Sequence, residues 1–244
     1  MNGQRDLEGL SALVTGATSG IGRAAAEALG RHGAEVLVHG RDPARGSAVV
    51  DMITAEDGKA HFVAADLTDP AQLNDLAEQA GAVDILVNNA GVSRFGPTAD
   101  LELETFDRLF AANVRAPYFL VAALAPKMAA RGSGSIINIG SMAGQIGIPG
   151  LAAYSATKGA LESMTRSWAA EFSPAGVRIN TVGVGPVYTG IQAPEQTETL
   201  GATTIMGRAA QPAEIAEVIA FLAAAKASYI TGAVIAANGG RTAI

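Results

Sequence analysis

The sequence has no cysteine and few charged residues. The absence of cysteine from all 244 residues excludes disulfides and Cys-ligated metal sites. Charged residues make up only 16% of the chain, below the roughly 25% of an average soluble domain, while 49% of the residues are hydrophobic. Much of the chain must therefore be buried, and an intrinsically disordered protein is excluded.

The chain also lacks a basic cluster, a leader segment and a long apolar run. Its 17 basic and 23 acidic residues give a net charge of −6, so we expect no nucleic-acid partner. Residues 1–10 carry three charges and no apolar segment of signal-peptide length. The longest nearly uncharged apolar stretch, residues 116–126, is too short to cross a bilayer. We therefore expect a cytoplasmic protein with no membrane partner.

Short apolar runs alternate with Ala-rich stretches of helical period, which is typical of repeated βαβ units. The predicted strands are 11–14, 35–39, 60–64, 85–87, 135–139, 178–182 and 233–236. The predicted helices are 20–32, 70–79, 103–128, 152–172 and 212–224. We predict a single α/β domain over residues 1–244, a doubly wound sheet of seven parallel strands with helices on both faces. Residues 188–208 lose this periodicity and predict a loop or lid at the ligand site, or a flexible connection.

Three glycines follow the first predicted strand within one turn. Gly16, Gly20 and Gly22 would let a pyrophosphate approach the backbone, and the following helix N-terminus supplies N–H donors. The spacing differs from the GxGxxG fingerprint, and an ordinary Gly-rich turn would produce the same pattern. These glycines favour a dinucleotide site without establishing one.

The second predicted strand ends at Gly40, where NAD-binding folds usually carry an acid for the ribose. The next residue, Arg41, offers a forked guanidinium that suits a 2′-phosphate. This pattern favours NADP(H) over NAD(H). The alternative is that Arg41 is a solvated turn residue beside Asp42.

Three polar residues follow the fifth predicted strand at a regular spacing. Tyr154 lies thirteen residues after Ser141, and Lys158 lies four further on, so Tyr154 and Lys158 would share one face of a helix. A phenol with a pKa near 10 is a reluctant base, and a neighbouring ammonium favours the phenolate. Singly, each residue has a structural alternative as a cap, a surface charge or a helix residue. The three histidines, His32, His39 and His61, lack ligand spacing, so we predict no metal site.

These motifs, with Asn-Asn-Ala-Gly at 88–91 and Asn113, resemble the single-domain short-chain dehydrogenase/reductases over nearly the whole chain. The pattern is similar to that of the 3-oxoacyl-acyl-carrier-protein reductases within that family. The resemblance implies a Rossmann-type fold and an NAD(P)-dependent enzyme of the carbonyl reductase or alcohol dehydrogenase type. It implies that Tyr154 is the general acid/base, that Lys158 lowers its pKa and binds the nicotinamide ribose, and that Ser141 bonds the substrate oxygen. Asn113 would hold a water that links Lys158 to solvent.

The resemblance also implies cofactor contacts in the turns that follow the strands. Besides Tyr154 and Lys158, these are Gly16, Thr18, Ser19, Gly20, Ile21, Gly22, Arg41, Asp66, Leu67, Asn89, Ala90, Gly91, Gly185, Val187 and Thr189. Asp66 would meet the adenine, and its alternative is a helix cap. The sequence departs from the family pattern at Val184, where a proline is usual, and at Asn238, where an aspartate is usual.

The residues flanking the catalytic positions carry no Lys or Arg, which favours a small or medium neutral ketone or secondary alcohol. They are Ser93, Phe95, Gln145, Ile146, Ile148, Tyr188 and Ile191. Among them we expect Gln145 and Tyr188, with Ser141 and Tyr154, to touch the substrate. One alternative is a 3-oxoacyl-acyl-carrier-protein reductase, although docking that acidic partner needs a basic surface. Another is a non-catalytic NADP(H)-binding regulatory protein.

Helices 103–128 and 152–172 are apolar over more of their circumference than one core-facing stripe needs. We therefore expect subunit contacts through these helices. The family commonly forms homotetramers, so the resemblance implies a homotetramer, with a dimer as the alternative.

Overall fold

Seven parallel strands form one sheet in the order β3-β2-β1-β4-β5-β6-β7. The computed structural model describes residues 5–244. The strands are β1 Ser11–Val14, β2 Glu35–Gly40, β3 Lys59–Ala64, β4 Ile85–Asn88, β5 Gly134–Ile139, β6 Val177–Val184 and β7 Val234–Ala237. The strand order reverses between β1 and β4, which is the point where doubly wound sheets bind ligands beyond the strand carboxyl ends. The predicted doubly wound α/β fold is confirmed.

Helices cover both faces of this sheet. They are α1 Gly20–Arg31, α2 Pro43–Ala55, α3 Pro70–Ala80, α4 Leu103–Phe110, α5 Ala116–Arg131, α6 Ala152–Phe172, α7 Pro194–Gly201 and α8 Pro212–Ala223. Successive residues of β1 belong to different buried clusters: Val14 packs with Ile21 and Ile219 on one face, and Leu13 packs with Leu120 on the other. Because both faces are covered, the strands are apolar at nearly every position.

The predicted helix 103–128 is interrupted by a π-helical turn at Ala111–Arg115. In this turn the N–H of Ala116 bonds the carbonyl of Ala111, five residues back. Pro117 has no N–H, so the carbonyl of Asn113 receives no helical bond from the residue four positions later. The interruption lies at Asn113, a predicted site residue, and π-turns of this kind often mark functional positions.

The whole helical run Leu103–Arg131 spans 29 residues and is long and apolar enough to cross a membrane by length and composition alone. Half of its most apolar window is buried in the fold. Leu120, Leu124 and Met128 are almost completely buried in the cluster on one face of the sheet. Packing against the sheet therefore accounts for the apolar character of the buried half of this helical run.

Two helices were not predicted. α2 begins with Pro43 after Asp42, whose carboxylate accepts capping bonds from two backbone N–H groups, but its several β-branched residues weaken the helical pattern. α7 begins with Pro194 inside the segment 188–208. The segment predicted as a loop or lid therefore contains a short helix. α7 is short and polar, and only its residues Thr197 and Gly201 are buried. The sequence therefore shows no hydrophobic periodicity that would predict this helix.

Candidate active site

The turn after β1 leaves the N-terminus of α1 open to an anion. Gly16 and Gly20 have φ angles of 63° and 54°, in the left-handed region that glycine enters without steric cost. A Cβ atom at Gly22 would lie 2.3 Å from the carbonyl oxygen of Gly16, so a side chain there would displace the turn. Ser19 is the N-cap residue, and its hydroxyl accepts no capping bond within residues 5–244. The first N–H groups of α1 therefore point outward without a side-chain acceptor.

Asn89 and Thr15 hold this turn against the end of β4. The side-chain Nδ2 of Asn89 donates to the carbonyl oxygens of Thr15 (2.8 Å) and Gly16 (3.1 Å). The hydroxyl of Thr15 accepts from the backbone N–H groups of Asn89 and Ala90, both at 3.0 Å. The Asn89 side chain thus stabilises the strand ends, and the backbone of Ala90 lies against Gly16.

Arg41 is exposed at the end of β2, next to the predicted ribose position. Its charge contributes to a lowered pKa of Asp66, so both residues lie at the same end of the sheet. A Cβ atom at Gly40 would lie 2.4 Å from Cγ2 of Thr18. Thr18 therefore occupies the space that an acidic side chain at position 40 would need.

Asp66 follows β3 and does not cap α3. Its Oδ1 accepts from the backbone N–H (2.9 Å) and hydroxyl (2.8 Å) of Thr68. The backbone bond to Thr68 is the largest cause of its lowered pKa. The helix cap is Asp69, whose carboxylate accepts from the N–H groups of Ala71 and Gln72. The alternative of Asp66 as the cap is therefore wrong, and its side chain instead orders the turn before α3.

Three predicted cofactor residues have buried side chains. Ile21, Leu67 and Val187 are 8%, 7% and 9% exposed. These side chains pack in the core, so the three residues present little side-chain surface to a ligand.

Ser141, Tyr154 and Lys158 meet where β5 ends and α6 begins. The Nζ of Lys158 lies 5.7 Å from the centre of the Tyr154 ring and donates to the carbonyl of Ile139 at 2.7 Å. The Oγ of Ser141 accepts from the N–H of Ala143 at 3.1 Å, which leaves its own hydrogen to donate elsewhere. The predicted triad is therefore assembled in one place.

Burial dominates the electrostatics of this group. Lys158 is 5% exposed, and burial lowers its pKa from 10.5 to about 8. Burial also raises the pKa of Tyr154, and a hydrogen bond from Ser141 opposes this rise. In the protein groups described, desolvation of the Tyr154 phenol outweighs its hydrogen bond with Ser141, and the expectation that Lys158 lowers the pKa of this phenol stays a prediction.

The side chain of Asn113 is engaged by protein groups. Its Oδ1 accepts from the N–H of Val92 (2.9 Å), and its Nδ2 donates to the carbonyl of Val92 (2.8 Å) and to the hydroxyl of Thr157 (3.0 Å). A Cβ atom at Gly91 would lie 3.0 Å from Oδ1 of Asn113 and 3.8 Å from Nζ of Lys158, so the three residues converge. A water held by Asn113 would therefore bind its main-chain carbonyl, which receives no bond from the residue four positions later because that residue is Pro117.

The segment after β6 lies against the glycine turn between β1 and α1, which we call the phosphate turn. A Cβ atom at Gly20 would lie 3.0 Å from Cβ of Thr189, which places Thr189 beside the turn. The N–H of Gly185 donates to the carbonyl of Ala237 at 3.2 Å, and the carbonyl of Pro186 accepts from the N–H of Ala210 at 2.9 Å. Although Val184 stands where the family usually has a proline, backbone bonds fix this segment.

Sequence reasoning missed two buried ionisable residues near the site. Glu162 is 7% exposed and accepts a hydrogen bond at 3.1 Å from Nε2 of Gln145, a predicted substrate residue. Its position four residues after Lys158 continues the spacing that begins at Tyr154, and this signal could have revealed it. His39 is 2% exposed, and its ring nitrogens contact residues 23 and 26 positions away in the chain. No local pattern points to such contacts.

Comparisons with known proteins agree with this geometry. The family model for short chain dehydrogenases matches residues 11–200. The galactitol 2-dehydrogenase (L-tagatose-forming) of Cereibacter sphaeroides is 39% identical over 248 residues, covering 97% of this chain and 96% of that protein. The structure of the angucycline C-6 ketoreductase LanV with bound NADP has a TM-score of 0.92 at 38% identity, covering 98% of both chains. That of an NADP-bound 3-oxoacyl (acyl-carrier-protein) reductase from Agrobacterium tumefaciens has a TM-score of 0.93 at 34% identity, covering 97% of this chain and 96% of that chain.

Proposed function

The chain belongs to the short-chain dehydrogenase/reductase family, and on this basis we propose that it reduces a small or medium neutral ketone with NADPH. Family membership makes it an NAD(P)-dependent oxidoreductase acting on a small molecule. The direction, the cofactor preference and the substrate class are the proposed parts. The observation that carries the proposal is the convergence of Ser141, Tyr154 and Lys158 beside the glycine turn.

The residues present fit a nicotinamide dinucleotide. The uncapped N-terminus of α1 supplies N–H donors for the pyrophosphate, and Gly16 and Gly20 let it approach. Thr189 packs beside Gly20, so the segment after β6 reaches the same cleft from the nicotinamide side. When bound, the nicotinamide supplies the hydride.

NADP(H) is the favoured cofactor because of the residues at the end of β2. Thr18 fills the space that an acid at position 40 would occupy, and Arg41 offers its guanidinium there. The ketoreductase LanV and the Agrobacterium reductase, both similar to this chain, are described with bound NADP.

Tyr154 is the proton donor in the proposed reduction. The raised pKa of its phenol keeps it protonated at neutral pH, which is the form needed to protonate the carbonyl oxygen as the hydride arrives. Ser141 donates a hydrogen bond to the same oxygen and stabilises its developing charge. Lys158 supports this step from the buried end of the cleft, close to the Tyr154 ring.

We assign proton resupply to Lys158 and to a water beside Asn113. The Nζ of Lys158 lies 5.7 Å from the centre of the Tyr154 ring, and Lys158 converges with Gly91 and Asn113. A water on the main-chain carbonyl of Asn113, at the π-helical turn, would link this ammonium to solvent, so that Lys158 returns a proton towards the Tyr154 phenol. The hydrogen bonds of Thr157 to Asn113 and to the main chain of Tyr154 hold these groups in position.

A neutral substrate fits the polar groups near Tyr154. Gln145 uses its Nε2 on Glu162 and keeps its carbonyl oxygen as an acceptor, which favours a neutral hydroxyl over a carboxylate. We keep Gln145 and Tyr188 as substrate residues and assign 188–208, including α7, as the substrate lid. The relative from Cereibacter sphaeroides is named for the neutral polyol galactitol.

The second candidate is a 3-oxoacyl-acyl-carrier-protein reductase, favoured by the likeness to the Agrobacterium enzyme. Two cations near the end of α5, Lys127 and Arg131, are candidates for docking the acidic carrier. They bond the carbonyls of Gly81 and Val83, just before β4, and so lie at the amino-terminal edge of the sheet. Tyr154 follows the carboxyl end of β5, so these cations do not favour docking at the catalytic cleft.

We propose that the chain is cytoplasmic and assembles into a homotetramer, with a dimer as the alternative. Leu103, Phe106, Tyr118 and Phe119 on α4 and α5 are 39–75% exposed and form the apolar surface for these contacts. Sedimentation equilibrium tests the assembly, and a monomer mass would contradict both states.

The activity test is NADPH oxidation by wild type and Tyr154→Phe with a panel of neutral ketones. We expect turnover by wild type and a loss of about 10²-fold or more in the variant, because the proton donor is gone. Binding of NADPH should be kept in Tyr154→Phe. Turnover that survives the substitution contradicts the mechanism, and binding without any turnover points to the regulatory alternative.

The cofactor test compares the Kd values of NADPH and NADH. In Arg41→Ala the Kd of NADPH should rise about tenfold or more while that of NADH stays constant. Arg45→Ala is the matched control, because Arg45 is also exposed and pairs with Asp42 at 3.6 Å. Wild-type preference for NADH would contradict the assignment.

A further inference from the structure

His39 lies at the end of β2 with both ring nitrogens engaged. Its Nδ1 accepts a hydrogen bond from the backbone N–H of Gly16 at 3.2 Å, and its Nε2 lies 3.1 Å from the carbonyl oxygen of Ala65. An N–H can only donate and a carbonyl can only accept, so these partners fix a neutral ring with the proton on Nε2. At 2% exposure, the ring has little access to water.

The two partners belong to different parts of the proposed cofactor site. Gly16 is the first glycine of the phosphate turn, and Ala65 directly precedes Asp66 in the turn assigned to the adenine. The imidazole therefore connects the turns after β1 and β3 through the middle strand, β2. No other side chain bonds both turns in the part of the chain that the structure describes.

The contact with Gly16 is one of two side-chain hydrogen bonds to the peptide unit that joins Thr15 and Gly16. The carbonyl oxygen of Thr15 accepts from Nδ2 of Asn89 at 2.8 Å, and the N–H of the same unit, on Gly16, donates to His39. Both ends of this peptide are therefore held by side chains. Its orientation sets the positive φ of Gly16 and hence the path of the turn towards the N-terminus of α1.

We propose that His39 is a positioning residue of the dinucleotide site, holding the Gly16 peptide in its binding-competent orientation through its unprotonated Nδ1. The inference rests on the proposed cofactor site. Without this acceptor, the partly buried N–H of Gly16 would lose its side-chain partner, and the turn would rotate this N–H towards water. The cofactor would then bind only the fraction of molecules in which the turn is restored, so its apparent Kd would rise.

The surroundings keep the ring neutral. Burial is the largest cause of a pKa lowered from 6.5 to about 4, and the charged groups whose field reaches the ring are Asp66, which raises the pKa, and Arg41, which lowers it. A protonated ring would present Nδ1–H to the N–H of Gly16, so two donors would face each other.

Two variants of His39 distinguish the effect of its hydrogen bond to Gly16 from the effect of its hydrogen bond to Ala65. The amide of Asn places an acceptor near the position of Nδ1, so His39→Asn keeps the bond to Gly16. The longer Gln reaches the position of Nε2, so His39→Gln keeps the bond to Ala65 and leaves Gly16 without an acceptor. Both variants lose one buried bond, so a purely structural role predicts similar losses of thermal stability and similar Kd values.

The experiment measures the Kd values of NADPH and NADH for wild type and both variants, with thermal unfolding in parallel. We expect His39→Gln to bind both cofactors about tenfold more weakly than His39→Asn, a difference of about 1.4 kcal/mol. Equal Kd values in the two variants would overturn the proposal while leaving the proposed function intact. A wild type that binds neither cofactor would overturn the proposed function and this inference together.

If neither variant folds, the proposal is tested by measuring the tautomer of His39 in the wild type. Long-range proton–nitrogen NMR correlation of the imidazoles at neutral pH reports which ring nitrogen carries the proton. We expect the Nε2–H tautomer of His39, both free and with NADPH. The Nδ1–H tautomer or a doubly protonated ring would overturn the proposal, because Nδ1 could then accept nothing from Gly16.

Discussion

The two halves of the cleft are built from different kinds of polar group. In the dinucleotide half, the turn after β1 is held by the neutral side chains of His39 and Asn89. The carboxylate of Asp66, which orders the turn after β3, is not buried, and Arg41 stays exposed at the rim. In the catalytic half, at the ends of β5 and β6 and on α6, Lys158 and Glu162 are both buried. The dinucleotide half avoids burying charge. The catalytic half buries two ionisable side chains, at a cost in solvation free energy.

This difference matches the role that we propose for each half. The dinucleotide half has to present N–H groups in fixed directions, which neutral hydrogen bonds achieve without a desolvation cost. The catalytic half has to move a proton, and burial displaces the pKa values of its groups far enough to control where that proton resides.

Replacing the buried ammonium in Lys158→Met should have the largest effect. The side chain keeps similar length, so packing of α6 is preserved, and we expect turnover to fall about 10²-fold or more at neutral pH. In wild type the ammonium is present below its pKa of about 8 and lost above it, so the rate of reduction should decline as pH rises past about 8. Tyr154 does not cause this decline, because its raised pKa keeps it protonated.

Steady-state rates across pH, measured for wild type and Lys158→Met, check this prediction. The matched control is Lys127→Met, which removes an exposed lysine that bonds the carbonyl of Gly81 on the opposite edge of the sheet. A variant with wild-type turnover would show that the catalytic half works without its buried charge.

The neutral His39 should make the dinucleotide half sensitive to acid. Its pKa is lowered from 6.5 to about 4, so above pH 6.5 the ring is neutral in both folded and unfolded chains and stability is complete. As pH falls from 6.5 to about 4, the unfolded chain takes up a proton that the folded chain refuses, and stability declines. The full displacement corresponds to about 3 kcal/mol.

Urea unfolding at pH 7 and at pH 4.5 measures this loss. His39→Asn cannot titrate, so its free energy of unfolding should fall less than that of wild type over the same interval. His61→Gln is the control, since His61 is exposed at the surface. An identical pH dependence in wild type and His39→Asn would contradict the prediction.

In both halves of the cleft, contacts between residues close in sequence could be predicted from the sequence. Contacts between residues distant in sequence could not. The glycine turn and the Ser141, Tyr154 and Lys158 set depend on spacing within one turn or one helix, so their assembly could be predicted. The ring of His39 joins residues 23 and 26 positions away, and nothing near it in sequence distinguishes it from a surface histidine. Its role depends on the β1-β2-β3 order of the sheet.

The same reasoning applies to the details of the catalytic half. Asn113 was predicted as a site residue, but the occupation of its amide by Val92 depends on the π-helical turn. Pro117 was the available signal, because a proline within a predicted helix marks a missing bond. The raised pKa of Tyr154 could not be predicted, because burial depends on packing that the motif does not describe.

Changing the cofactor preference should require two substitutions in the dinucleotide half. Gly40→Asp alone would place Cβ 2.4 Å from Cγ2 of Thr18, so we expect it to weaken binding of both cofactors. Adding Thr18→Ala removes that atom, and the double variant should bind NADH about tenfold more tightly than Gly40→Asp does. Fluorescence titration measures the Kd values, with Thr18→Ala alone as control. Tight NADH binding by Gly40→Asp alone would show that Thr18 moves aside easily.

The smallest effect should come from Glu162→Gln. Burial raises the pKa of this carboxyl above 4.5, so the folded state disfavours the charged form. The contribution of the Glu162 carboxyl to the free energy of unfolding is therefore largest below pH 4.5. It declines as pH rises through the raised pKa. Glu162→Gln keeps an acceptor oxygen for Gln145 and cannot ionise. We expect it to be slightly more stable than wild type at pH 7, by less than about 1 kcal/mol, and equal at pH 4.

Thermal unfolding of wild type, Glu162→Gln and Glu162→Ala at both pH values tests this expectation. Glu162→Ala removes the charge but also the acceptor, so Nε2 of Gln145 loses its partner beneath the substrate cleft. In that variant the substrate KM should rise about two- to threefold, whereas in Glu162→Gln it should stay constant, because only the hydrogen bond fixes the direction of the Gln145 amide. If Glu162→Gln is less stable than wild type at pH 7, the charge of Glu162 is stabilised by its surroundings. The catalytic half would then bury charge without a net cost, and its contrast with the dinucleotide half would be limited to Lys158.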